Sequence, residues 1–123
     1  DLRMGWKVAK TLGEHDVGQC VVLRRGVITA LEAIEGTDAA IRRGAGLGGP
    51  GSVVVKVLKP GQERRVDLPA LGLETIRTLV ETKASCIGFE AGNTLFFNLS
   101  ASLALADREG VCVVGLRPED GSY

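Results

Sequence analysis

Between Glu32 and Arg43 the sequence changes its period. The hydrophobic alternation of Val27-Ile-Thr-Ala-Leu31 stops, and a short helical run, Ala39-Ala-Ile-Arg42-Arg43, begins after Glu35-Gly36-Thr37-Asp38. The corner joins a strand to a helix. Gly36 permits φ values that other residues resist, so the chain can turn sharply there. Thr37 reads as the N-cap, with Asp38 in the first turn, where the helix dipole favours an anion by about 0.3–1 kcal/mol. Glu35 and Asp38 flank this corner. Carboxylates so placed can hold a hydrated divalent cation, or they can simply cap the helix.

The chain has 123 residues, enough for one domain with a real core. Fifteen basic and fifteen acidic residues cancel, so the charge balance gives no reason to expect nucleic acid as a partner. Aromatics are only 4%, which also argues against a base-stacking platform. The three cysteines, Cys20, Cys86 and Cys112, lie far apart within apolar runs. They read as buried reduced thiols of a cytosolic protein rather than a disulfide frame or zinc site. No apolar run reaches the length of a membrane span, and no signal peptide is visible. The chain opens on Asp1 and its only methionine is Met4, which reads as a piece of a longer protein.

Residues 2–12 carry an amphipathic helical pattern that Gly13 would stop, with Trp6 in the core. His15, the only histidine, falls in a polar corner and reads as a surface residue. Gln19–Leu23 and Val27–Leu31 form a hairpin around Arg25-Gly26. Gly44 to Gly51 is glycine-rich, but it follows a helix and opens a strand, the wrong context for a phosphate loop. It reads as a mobile connector of the kind that can cover a site. The β-branched run Val53–Leu58 is a strand. Residues 73–83 form an amphipathic helix, Cys86–Phe89 and Thr94–Phe97 short strands, Ser100–Glu109 a helix capped by Ser100 or Asn98, and Val111–Val114 a last buried strand. These elements predict a compact α/β domain, or a mixed α+β one, with one mixed sheet and about four helices.

Lys59-Pro60-Gly61-Gln62 has Pro and Gly at the centre of a type II turn. Around it stand Lys56, Lys59, Arg64 and Arg65, against Glu63 and Asp67. A local basic excess in a neutral chain suits a diphosphate; a charged hairpin exposed to water has the same pattern.

Several segments taken together resemble one enzyme family. They are Asp16-Val-Gly-Gln19, Glu32-Ala-Ile-Glu-Gly-Thr-Asp38, Lys59-Pro-Gly-Gln62 with Arg65-Val-Asp67-Leu-Pro69, Glu90-Ala-Gly92 and Val113-Val-Gly115. In this order they are similar to the C-terminal domain of the metal-dependent UDP-2,3-diacylglucosamine pyrophosphatases of the lipid A pathway. The resemblance covers nearly the whole chain. It implies that residues 1–123 are the C-terminal, catalytic-type domain of a two-domain enzyme whose N-terminal domain is absent from this chain. The implied reaction is hydrolysis of UDP-2,3-diacylglucosamine to 2,3-diacylglucosamine 1-phosphate and UMP, with Mg²⁺ or another divalent cation.

By matching positions, the resemblance implies Asp67 and Asp38 as catalytic residues and Glu35, Asp38 and Asp67 as metal ligands. Thr37, Lys59, Gln62, Arg65 and Glu90 become substrate contacts. The implied partners are the nucleotide-lipid, the N-terminal domain, the inner membrane as a peripheral contact from the cytoplasm, and further copies of the chain. Asn93, Asn98 and Leu99 depart from the family pattern, which at these positions carries charge. They favour the alternative of a non-catalytic ligand-binding or oligomerisation module that keeps the fold.

Overall fold

The computed structural model describes residues 1–59 and 69–117. Five strands, β1 (Cys20–Arg24), β2 (Val27–Leu31), β3 (Val53–Lys56), β5 (Cys86–Glu90) and β7 (Cys112–Leu116), form a mixed sheet in the order β2-β1-β3-β5-β7. β1 runs antiparallel to both neighbours, whereas β3, β5 and β7 are parallel. A small second sheet pairs β4 (Ala70–Leu71) with β6 (Leu95–Phe96) in parallel. The helices are α1 (Leu2–Glu14), α2 (Thr37–Gly48), α3 (Leu73–Glu81) and α4 (Leu99–Glu109). The α/β class, the single mixed main sheet and four helices agree with the sequence pattern.

The apolar runs are nearly continuous in β1 and β3 because both faces of the central strands are covered. Successive side chains alternate between two cores. Val21, Leu23, Val55 and Val57 pack with Trp6 and Ala9 of α1 on one face. Cys20, Val22 and Val54 pack on the other with Ile41 of α2, Ile76 and Leu79 of α3 and Ala106 of α4. Each fully buried Val, Leu or Ile contributes roughly 1.5–3 kcal/mol, so this two-sided burial decides the fold more than any local propensity.

Three expectations need correction. The glycine-rich stretch is not a loose connector, because α2 continues to Gly48. Gly44 sits where a Cβ would come within 2.5 Å of Val22 Cβ, so glycine there lets the helix lie against the sheet. The residues that follow are tied down: Gly51 N–H donates to Lys83 O (2.8 Å) and Arg24 Nε to Pro50 O (2.6 Å). This segment also lies at the amino ends of the parallel strands, away from the polar edge described below.

Second, the N-cap of α2 is Gly36, with φ 95°, and Thr37 is already helical. Of the two caps expected for α4, Asn98 is the N-cap; it lies in the left-handed region and makes no side-chain cap bond. Third, only Cys20 is buried; Cys86 is half-buried and Cys112 exposed. Among the described residues β7 is an edge strand, and α1 packs on β1 and β3, so no described element covers the start of β7 on that face. Trp6 is buried and His15 exposed, as expected. No helix among the described residues is long and apolar enough to cross a membrane.

Candidate active site

At the carboxyl ends of β3 and β5 the apolar sheet gives way to buried polar side chains. The register places Cys20, at the start of β1, opposite Lys56, at the end of β3. The same edge therefore collects Gln19 before β1, Glu32 after β2, Lys56 and Leu58 on and after β3, and Glu90 at the end of β5. Pro69 and Ala70 also lie by this edge, since Lys56 Nζ donates to Ala70 O at 2.9 Å.

Glu32 is buried at the corner that opens α2. Its Oε1 accepts the Gln19 N–H at 3.0 Å and its Oε2 accepts the Thr37 hydroxyl at 3.2 Å. Glycine is required beside it: a Cβ on Gly18 would stand 2.1 Å from Glu32 O. Thr37 is thus spent on Glu32 rather than on capping, which leaves the amino end of α2 with no side-chain cap. The first-turn N–H groups of a helix form a ready anion site. Two oxygens nearby, Asp38 Oδ1 and Gln19 Oε1, are buried and have no hydrogen-bond partner. Buried polar atoms without partners are rare in folded proteins, and a bound ligand or ion is one established reason for them.

Glu35 points elsewhere. Its carboxylate accepts the Ala33 N–H (2.7 Å) and the Arg43 guanidinium (2.5 Å). These two contacts hold its pKa down at about 2, the backbone N–H contributing most. Glu90 is one of the most buried carboxylates and is saturated. Its Oε1 accepts Lys10 Nζ (2.6 Å) and the Leu58 N–H (3.0 Å), and its Oε2 accepts Asn93 Nδ2 (2.8 Å). It therefore fixes the chain just before residues 60–68. Asn93 is part of that anchor. Asn98 and Leu99 are exposed at the start of α4. Lys59 Nζ lies 3.0 Å from Asp16 Oδ1 at the surface.

Cys20 is central to this edge but chemically quiet. Burial, and then the charge of Glu32, push its thiol up to about 12, with Lys56 pulling the other way and Asp38 and Glu35 adding a smaller push. It is not a nucleophile at neutral pH.

The structure thus brings Thr37 and Asp38 together with Glu32, Gln19 and Lys56, and it places Glu90 and Lys59 at the root of the segment 60–68. Gln62, Arg65 and Asp67 lie outside the described residues, as does the rest of the Lys-Pro-Gly-Gln turn. Among the described residues no three His, Cys, Asp or Glu side chains stand close enough to hold a metal ion. Sequence reasoning missed Glu32 and Lys10 as organising residues. Two signals were available: a charge at the end of an apolar strand, and a lysine one helical turn from a buried tryptophan. Lys10 Nζ lies 5.0 Å from the centre of the Trp6 ring.

The LpxI C-terminal domain model matches residues 1–114. The chain is 38% identical over 130 residues to the UDP-2,3-diacylglucosamine pyrophosphatase LpxI of Caulobacter vibrioides. That match takes in 98% of this chain and 46% of the relative, so the chain spans about half of that protein's length. Among solved structures, the apo dCMP deaminase of cyanophage S-TIM5 superposes with a TM-score of 0.55 over 93% of this chain and 96% of the deaminase. At 8% identity this likeness is one of fold alone.

Proposed function

The chain belongs to the LpxI C-terminal domain family, and from that premise we propose that it is the diphosphate-handling half of an enzyme that hydrolyses UDP-2,3-diacylglucosamine. Water adds to one phosphorus of the anhydride and the bridging P–O bond breaks. The products are UMP and 2,3-diacylglucosamine 1-phosphate. The observation that carries this reading is Asp38 Oδ1, a buried oxygen without a partner at the uncapped amino end of α2.

The donor set fits a hard divalent cation such as Mg²⁺, which binds through one or two carboxylates plus substrate phosphates. Asp38 and Asp67 would hold it, and Glu35 would join only by giving up Arg43. Such an ion, when bound, supplies charge neutralisation on the diphosphate and a more acidic water. The remaining roles belong to the chain. The first-turn N–H groups of α2 face a phosphate oxygen, and the Thr37 hydroxyl would join them only by giving up Glu32. Lys59, Gln62 and Arg65 orient the diphosphate, and Asp67 takes the proton of the attacking water. Glu90 supports Lys59 through the Leu58 N–H instead of touching substrate. The rest of the protein, the cytoplasmic face of the inner membrane and a second copy of the chain are the proposed partners.

The test is a ³¹P NMR assay of the full-length protein with UDP-2,3-diacylglucosamine and Mg²⁺, with and without a chelator. Appearance of UMP that stops on chelation supports the reading. A folded full-length protein that leaves the diphosphate intact in both conditions overturns it in favour of a binding module.

A further inference from the structure

At the end of the sheet opposite the polar edge, Cys86 and Cys112 are direct register partners on the parallel strands β5 and β7. Neighbouring strands lie about 4.8 Å apart, inside the roughly 4.4–6.8 Å range over which two Cα atoms can carry a disulfide. The two cysteines share the face of the sheet that α1 leaves partly open. Cys86 lines a groove of about 640 Å³ there, with Leu2, Val53, Val114 and Leu116. Cys112 is exposed on the edge strand, and Cys20 lies across the sheet, fully buried, so it does not compete.

We infer that Cys86 and Cys112 form a thiol–disulfide site, a vicinal dithiol that a low-molecular-weight disulfide converts into a cross-strand disulfide. Exposure sets the order of steps. The Cys112 thiolate attacks one sulfur of RSSR, forming a Cys112–SR mixed disulfide and releasing one RS⁻. Cys86 then attacks the Cys112 sulfur, forming the protein disulfide and releasing the second RS⁻. The two thiol protons end on the two RSH molecules, and the two electrons lost by the cysteines reduce RSSR. Cys86 follows because burial, and then its neighbour Cys112, push its thiol up to about 12; converting Cys112 to a mixed disulfide removes the second cause. The site lies at the amino ends of β5 and β7, so it is separate from the polar edge.

The chain is incubated with oxidised glutathione, quenched by alkylation and mapped by peptide mass spectrometry. The wild type should yield a Cys86–Cys112 disulfide that dithiothreitol reverses. Cys86→Ser should stop at a Cys112–glutathione adduct, and Cys112→Ser should give neither product. Phenylarsine oxide, which needs two thiols, should bind the wild type and fail to bind Cys112→Ser. That exposed substitution leaves the core intact, so the arsenical result stands even where Cys86→Ser does not fold. A wild-type chain that stops at the Cys112 adduct, joins two chains through Cys112, or leaves Cys112 unreacted overturns the inference.

Discussion

Lys10 Nζ on α1 and Glu90 Oε1 at the end of β5 lie 2.6 Å apart, eighty positions apart in sequence. The glutamate is almost fully buried and the lysine only a quarter exposed. This pair clamps α1 to the strand end from which the Leu58 N–H is also held.

Removing the lysine leaves a buried carboxylate with two neutral donors. Lys10→Met should therefore destabilise the fold by about 3 kcal/mol, the lower end for breaking a buried pair because the ammonium is partly wet. Lys10→Met with Glu90→Gln should regain most of that loss. Urea unfolding of the four proteins of the cycle measures it, and additive losses would mean that the pair is not coupled.

The acids of the proposed site should separate by role. In the full-length protein, Asp67→Ala should lower kcat by about 10²–10⁴, the contribution of a general base, with little change in melting temperature. Asp38→Asn should also lower kcat and should raise the Mg²⁺ concentration needed for half-maximal rate. Near-normal turnover in Asp67→Ala would remove that residue from the catalytic roles.

Glu35 gives a pH signature. Its pKa falls from 4.5 to about 2 on folding. A lowered carboxyl pKa means that the unfolded chain binds the proton more readily. The stabilisation from Glu35 is therefore complete above about pH 5 and is lost as the pH falls from there towards 2. Melting temperatures from pH 7 to pH 2 should show an acid-side decline that is shallower in Glu35→Gln. Overlapping profiles for the two proteins would show that the Ala33 and Arg43 contacts do not persist in solution.

The cysteines should differ sharply in rate. A thiol reagent should label Cys112 in the native protein within the time of mixing experiments and reach Cys20 only on unfolding, because burial keeps that thiol protonated and covered. Rapid native labelling of Cys20 would contradict the packing of β1 against α2.

The order and type of the elements were legible because periodicity is local. Val53–Leu58 alternates across two cores, residues 2–12 place Trp6 and Ala9 on one helical face, and Arg25-Gly26 turns the hairpin, with φ values of 50° and 79°. The Glu35–Asp38 corner was readable as a helix start for the same reason. What a residue touches was not readable. Thr37 looked like a cap, yet its hydroxyl reaches Glu32, which the fold brings beside it. Glycine at 44 looked like a loop signal, yet it lies within α2 because Val22 and Ala30 stand too close for a Cβ.

The sequence by itself determined which segments are strands and which are helices, since hydrophobic period and turn chemistry act over a few residues. Only the tertiary structure decided that β7 is an edge, so that Cys112 is exposed while the equally apolar surroundings of Cys20 bury it. It also decided that Glu90 is an anchor for Lys10, Leu58 and Asn93. Strand order and long-range pairing depend on how much apolar surface all the layers bury together, and that sum is not written in any local stretch of the chain.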